Sequence, residues 1–373
     1  LYRFHTPDRQ HPIKEAAFNP YAISDDPDYG LLYVLHPDGQ NSYGVGVNAG
    51  TGQAGSDLLG KVVRINPLDP DGAGSATYSV PDSNPFVGAD GQTPGGRNML
   101  DEVFALGFRD PHTISFSKAG DMFISDIGAN SVEEINLVQS GENHGWQPSE
   151  GTFFFAPGGG VTDLPAGIDP YTYPVAQYGH SGSGAHAIAG GYVIENGGPL
   201  DGQMLLGDFA SSLAPLMIVS LADMQAAITD GDNSLLAPAS IQTVNLVFDD
   251  DDDPFTPSIP KTSMLDILND EPTYDGSGRT DIRFGQGPRG EIYILNKRNG
   301  WVYTVSASPP FGDLNGDGII NSDDWMQFQQ GQGTDMTNLT PRQAYAQGDM
   351  DRDFDNDVVD FRLFKEAYAK EQR

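Results

Sequence analysis

Four glycines along the chain each precede a short, mainly apolar run: Gly30-Leu31-Leu32-Tyr33-Val34, Gly120-Asp121-Met122-Phe123-Ile124, Gly202-Gln203-Met204-Leu205-Leu206 and Gly290-Glu291-Ile292-Tyr293-Ile294. The glycines are 90, 82 and 88 residues apart. A second apolar run follows each: Lys61–Ile65, Glu134–Val138, Leu216–Val219 and Trp301–Val305. Runs this short, set behind glycine turns, predict strands rather than helices. Paired strands at a steady period predict blades of a propeller. An ordinary β-sandwich with accidental spacing is the alternative. A ring must close or leave raw edges, so four units predict a chain that begins partway round its ring. Leu221–Ile228 holds good helix formers and predicts a helix in a loop between strands.

Composition supports the strand reading. Glycine (46) and proline (27) make up about a fifth of 373 residues, too many for a helical bundle. Apolar residues at 38% are too many for global disorder. The net charge of −32 argues against nucleic acid and anionic membranes as partners. With no cysteine, thiolate catalysis, iron–sulfur clusters and thiolate zinc sites are excluded. No run approaches the roughly 18 apolar residues of a membrane span. The chain starts at Leu1 with no signal peptide ahead of it, as expected of a mature product or a fragment.

The charge is uneven. Residues 313–373 carry 13 Asp or Glu against 6 Lys or Arg, and a Ser/Pro linker at 308–312 separates them from 1–307. Asp313, Asn315, Asp317, Asn321 and Asp324 occupy positions 1, 3, 5, 9 and 12 of a twelve-residue loop. Gly318 sits at the sharp turn, and Ile319 can offer its carbonyl. Calcium needs six to eight converging hard oxygens, and this spacing supplies them. Asp349, Asp351, Asp353, Asp355, Asp357 and Asp360 repeat the pattern 36 residues later, with Phe354 at the turn position. A bulky residue there costs about 1 kcal/mol in the left-handed region, so the second loop is expected to be weaker. The run Asp249–Asp253 reads as a solvated loop.

Two loop–helix units with Asp at position 12 resemble a dockerin module. That resemblance implies two EF-hand-like calcium loops over 313–373, a cohesin-type protein partner and a secreted or cell-surface setting. The recognition positions Ser322-Asp323 and Val358-Val359 differ between the halves.

Residues 1–307 carry candidate chemistry at His11, at Asp38 in a Pro-Asp-Gly turn, and at Arg109-Asp110-Pro111-His112. Read singly, the Pro-Asp-Gly turn is equally a simple turn and the arginine equally a surface ion pair. The ordered motifs Gly60–Pro67, Ser83–Gly88, Ala105–Pro111, Glu134–Val138 and Gly141–Trp146 resemble the glucose/sorbosone dehydrogenase family. The family includes soluble aldose dehydrogenases that use pyrroloquinoline quinone (PQQ). The resemblance implies an all-β, six-bladed propeller of which about four blades lie in this chain. It implies His11 as the catalytic base, Asp38 as its partner and Arg109 at the quinone and substrate. It also implies cofactor-binding positions at Arg109, Asp110, Gly128 and Ala129, with the last two offering carbonyls to the cofactor's calcium.

The chain departs from the family pattern at three places. Arg-Asn is Arg109-Asp110, the Gly-Gly after the histidine is Ile13-Lys14, and no lysine lies near Ser211. Arg279 and Arg283 could compensate. His11, Asp38 and Arg109 favour PQQ-dependent oxidation of an aldose or oligosaccharide at the anomeric carbon. The departures favour a non-catalytic propeller that binds carbohydrate or protein.

Overall fold

The computed structural model describes residues 11–39, 51–68, 78–88, 98–156, 159–165, 171–180, 186–198, 200–210, 214–229, 236–248, 259–272, 274, 276–305, 311–316 and 319–371. The acidic run 249–253, Ser211, the linker 308–310, Asp317 and Gly318 lie outside them.

Among the described residues the chain is mostly β. The first sheet has strands β1 (Ala16–Phe18), β2 (Leu32–His36), β3 (Lys61–Ile65) and β4 (Val103–Leu106), in that order. The second uses β5 (Pro111–Phe116), β6 (Met122–Asp126) and β7 (Val132–Leu137). Its outer place goes to β11 (Ala176–Gly179), after an excursion through a small sheet of β8 (Ser149–Glu150), β9 (Phe153–Phe155) and β10 (Val161–Thr162). The third holds β12 (Ile188–Ile194), β13 (Gln203–Asp208), β14 (Leu216–Ser220) and β15 (Gln242–Thr243). A hairpin of β16 (Leu246–Phe248) and β17 (Ile259–Lys261) precedes the last sheet, β18 (Ile282–Gln286), β19 (Ile292–Asn296) and β20 (Val302–Val305). All eight runs read from the glycine repeat contribute strands, and each pair forms an antiparallel hairpin.

Each sheet packs face to face on the next. Tyr33, Val62, Ile114 and Ile124 fill the gap between the first two. Phe123, Ile135, Ile188 and Leu206 fill the second gap; Leu205, Leu216, Ile282 and Ile294 fill the third. Inner strand β12 packs against both β5 and β18. Burial on two faces is why β3 and β5 are buried at every position, their polar residues Lys61, Arg64, His112, Thr113 and Ser115 included. In β20 burial alternates instead, because one face of the last sheet is open.

The inner strands β1, β5, β12 and β18 all start at one end of the sheets, where their antiparallel partners β2, β6, β13 and β19 finish. Bulges re-aim the chain at that end, between Pro111 and Thr113 and between Ile188 and Gly190. Gly190 has φ +75°, and a Cβ there would lie 2.3 Å from Thr113 Oγ1. Only glycine allows β12 this close to β5.

The helix predicted at Leu221–Ile228 is shorter than expected. Helix α1 covers Leu221–Gln225, capped by Ser220 Oγ, and Ile228 instead bridges to Ala237. Helix α2 (Met264–Asn269) packs on the third core. In the tail, α3 (Ser322–Gly331), α4 (Pro341–Tyr345) and α5 (Val358–Glu371) enclose Leu314, Ile320, Phe328, Tyr345, Met350 and Phe364.

Candidate functional site

A carboxylate or amide sits at the tip of the second strand in each sheet: Asp38, Asp126, Asp208 and Asn296. All four are buried. Each lies six to eight residues past its repeat glycine, so the repeat sets their position. Asp38, Asp126 and Asp208 hold the segment that enters an inner strand, while Asn296 accepts from the Arg298 N–H in the turn from β19 to β20.

Asp38 does so at His11, just before β1. His11 Nδ1 lies 2.7 Å from Asp38 Oδ1, and Trp146 Nε1 donates to Asp38 Oδ2 at 3.0 Å. The carboxylate only accepts, so the Nδ1 proton is fixed toward Asp38 and Nε2 presents its lone pair. The Asp38 backbone N–H donates to the Arg109 carbonyl at 2.7 Å, and Thr51 Oγ1 donates to the Asp38 carbonyl. Lys61, fully buried, donates to the carbonyls of Thr51, Gly52 and Leu59, and burial pulls its ammonium down to about 7. These bonds pin the floor of the site.

Asp126 holds Arg109 and Asp110. Its two oxygens accept their backbone N–H groups at 2.9 and 2.7 Å. Burial and the charge of Glu134 push the Asp126 carboxyl well above the usual range. Arg109 Nη1 donates to the carbonyls of Ile127 and Gly128, at 2.9 and 2.7 Å, and its guanidinium lies 5.7 Å above the Trp146 ring. Its Nε is buried with no partner among the described residues. Glu150 Oε1 accepts four backbone N–H groups, from Ala129 through Val132, and fixes the loop that carries Gly128 and Ala129.

The motifs behind the family resemblance meet here. The Trp146 backbone N–H donates to the Gly107 carbonyl, and Gly107 at φ +86° leaves no room for a Cβ against Asn143 and Gly145. Two of the residues singled out in the sequence, Lys14 and Asp110, also meet. Lys14 Nζ lies 3.2 Å from Asp110 Oδ1, while Asp110 Oδ2 lies 3.7 Å from His11 Nε2. The lysine ammonium answers the Asp110 charge, so the two residues form one ion pair. Burial raises the Asp110 carboxyl, against the pull of His11, Lys14 and Arg109.

Sequence reasoning missed the groups at the third sheet. His186 Nδ1 lies 3.1 Å from Asp208 Oδ2, the arrangement of His11 and Asp38 repeated. His180 stacks on His186 with ring centroids 4.8 Å apart, and its Nε2 lies 2.7 Å from Glu133 Oε1. The bond and charge of Glu133 raise His180 despite its burial. The repeat register, continued from Asp38 through Asp126, leads to Asp208. Arg283 lies 4.6 Å from the centroid of the Phe209 ring and Arg279 5.7 Å, with His112 stacked on the same ring. Arg279 also pairs with Asp281.

The tail holds a second group. Asp324 Oδ1 accepts from Leu314 and Asn315, and Asp360 Oδ1 accepts from Met350 and Asp351. Asp313 and Asp349 cap matching turns at Gly316 and Arg352. Asn321 and Asp357 cap the helices that follow. Ile319 lies exposed beside the first loop. Oxygens of Asp349, Asp351 and Asp360 lie within 4.8 Å of one another, as do those of Asp353, Asp355 and Asp360. Burial and mutual repulsion raise Asp349 and Asp355, and push Asp351 up to about 6. Phe354 adopts φ +63°, the left-handed conformation expected at its position.

Stacked antiparallel meanders, with a buried His–Asp pair where the inner strands begin, define a propeller-type β protein. The family model described as glucose/sorbosone dehydrogenase matches residues 20–222, more than half of the chain, and the chain belongs to that family. It is similar to the HIPL2 protein of Arabidopsis thaliana, 33% identical over 44% of this chain and 24% of that protein. It is also similar to quinoprotein glucose dehydrogenase B of Acinetobacter calcoaceticus, 29% identical over 34% of this chain and 22% of that protein. The soluble aldose sugar dehydrogenase of Escherichia coli, solved in its apo-form, is 17% identical, with 75% of this chain and 61% of that chain covered at a TM-score of 0.45. The chain spans about a quarter of the length of the curated relatives it matches. No described helix is long and apolar enough to cross a membrane.

Proposed function

We propose that the chain is an oxidoreductase that oxidises an aldose or oligosaccharide at its anomeric carbon, with PQQ as electron acceptor. The observation that carries this is the His11–Asp38 pair, 2.7 Å apart, with Arg109 alongside. His11 Nε2 takes the proton of the anomeric hydroxyl. Asp38 keeps Nδ1 protonated and stabilises the imidazolium that forms. Trp146 holds the second Asp38 oxygen, so the carboxylate cannot rotate away.

The residues fit a quinone. Arg109 offers a buried Nε–H with no partner among the described residues, suited to a developing oxyanion. Asp110 alone would repel a polycarboxylate, but Lys14 answers its charge. Arg109 and the Gly128 and Ala129 carbonyls would hold the cofactor and its calcium, with Arg109 releasing the Gly128 carbonyl it now bonds. The quinone supplies the two-electron acceptor that no side chain here provides.

We assign 313–373 to a dockerin-like module joined to the propeller (1–307) by a linker at 308–312, in a protein acting in a secreted or cell-surface setting. Calcium would sit on Asp313, Asn315, Asp317, Ile319, Asn321 and Asp324, and on Asp349, Asp351, Asp353, Asp355, Asp357 and Asp360. The all-oxygen donor set suits a hard cation. A cohesin-type protein is the partner such a module would take. Circular dichroism tests the loops: calcium should raise helicity over the EGTA-treated protein, and identical spectra refute paired calcium sites.

A non-catalytic carbohydrate- or protein-binding propeller is the second reading. What favours it is Asp110, a carboxylate 3.7 Å from the nitrogen that should meet the sugar. Reconstitution with PQQ and calcium, followed by dye reduction on a panel of aldoses, separates the two.

A further inference from the structure

Asp110 lies beside His11 Nε2, and Lys14 lies beside Asp110. Asp110 is buried, its backbone N–H is held by Asp126, and Lys14 clamps Oδ1 at 3.2 Å. The clamp leaves Oδ2 turned toward His11 Nε2, 3.7 Å away. That separation is too long for a hydrogen bond between the two groups. It leaves two acceptors side by side, a ring nitrogen and a carboxylate oxygen, each fixed from behind. Hydroxyls on adjacent carbons of a pyranose, in gauche relation, present two O–H donors at matching spacing.

We infer that Asp110 is a substrate-binding residue: with His11 Nε2 it forms a two-acceptor notch that takes the C1 and C2 hydroxyls of an aldose. The anomeric hydroxyl donates to His11 and the C2 hydroxyl to Asp110 Oδ2. Lys14 holds the carboxylate in place and balances its charge. The inference rests on the aldose reading above and adds a selectivity to it: the site prefers a sugar with a C2 hydroxyl over its 2-deoxy counterpart. A site built to hydrogen-bond a substrate hydroxyl discriminates strongly against an analogue lacking it, because its own polar group is then left buried and unpaired.

The test has two arms, each on the full chain. In the first, the parent, Asp110→Ala and the isosteric Asp110→Asn are loaded with PQQ and calcium and assayed on glucose and 2-deoxyglucose. The parent should prefer glucose by about tenfold or more in kcat/KM. Asp110→Ala should erase the preference by lowering the glucose value alone, and Asp110→Asn should weaken it. An equal fall on both sugars, or a parent without preference, overturns the inference. The second arm needs neither cofactor nor turnover. Isothermal titration measures binding of glucose and 2-deoxyglucose to the cofactor-free proteins, which have no electron acceptor for turnover. Tighter binding of the C2-hydroxylated compound to the parent, lost in Asp110→Ala with its circular dichroism spectrum unchanged, supports the notch. Equal binding of both compounds, or of neither, overturns it. Should Asp110→Ala fail to fold, Asp110→Asn carries both arms. Absent oxidation alongside selective binding would remove the dehydrogenase reading while leaving the notch.

Discussion

Asp38 receives His11 on one oxygen and Trp146 on the other, and its backbone is tied to Arg109. Asp38→Asn keeps the shape but loses the group that fixes the His11 tautomer. Steady-state dye reduction should show turnover falling by about 10³–10⁴-fold, as for other His–Asp pairs stripped of the carboxylate, with KM little changed. Trp146→Phe leaves a buried carboxylate oxygen short of a donor, a loss of about 1–3 kcal/mol, which thermal unfolding should register. His11, Asp38 and Arg109 were legible because the family motifs mark them. Trp146 was legible only as part of a motif: nothing in its spacing says that its indole reaches a carboxylate 108 residues away. The Lys14–Asp110 pair was legible only as two separate oddities, because ion pairs between sheets leave no trace in local sequence.

At the scale of elements, the glycine repeat located four hairpins but not the polar tips it carries. Asp126, Asp208 and Asn296 end their strands inside runs that read as apolar. Their burial depends on the neighbouring sheet, which no single run reveals. The helix at Leu221 was read too long because good helix formers continue past the point where Ile228 joins a bridge.

The turns and helix starts of the tail follow local spacing: Asp313 and Asp349 cap matching turns, and Asn321 and Asp357 cap the helices after them. Phe354 at φ +63° carries strain that glycine would remove, about 1 kcal/mol. Calorimetric titration of Phe354→Gly should therefore find the weaker calcium site tightened by about fivefold. The loop carboxylates also set a pH dependence. Asp349, Asp351 and Asp355 have raised values in the folded loop, so the folded form holds protons more tightly than the unfolded. Their stabilising effect is complete below the usual aspartate value of 3.8 and is lost as pH rises through about 6. Without calcium the tail should melt earlier at pH 7 than at pH 4.5. Calcium should reverse that order, because the ion replaces the protons as countercharge. Melting curves in EGTA and in calcium at both pH values check the sign.

At the scale of the molecule, four face-packed meanders bring the starts of four inner strands to one end, and that end gathers His11, Asp38, Arg109, Asp110, His186 and Asp208. The net charge of −32 includes carboxylates buried singly against N–H donors at the strand tips and carboxylates crowded in the tail loops. The first kind orients neighbouring side chains and turns, and the second is where the calcium sites are proposed. The central claim is that His11 is the base of a quinone-dependent aldose oxidation. It is tested most directly by loading the full chain with PQQ and calcium, confirming the bound quinone by absorbance, and following dye reduction on added aldose. The account predicts aldose-dependent reduction that His11→Gln abolishes while the quinone stays bound. Bound quinone with no aldose-dependent reduction in the parent, or full activity in His11→Gln, would contradict it.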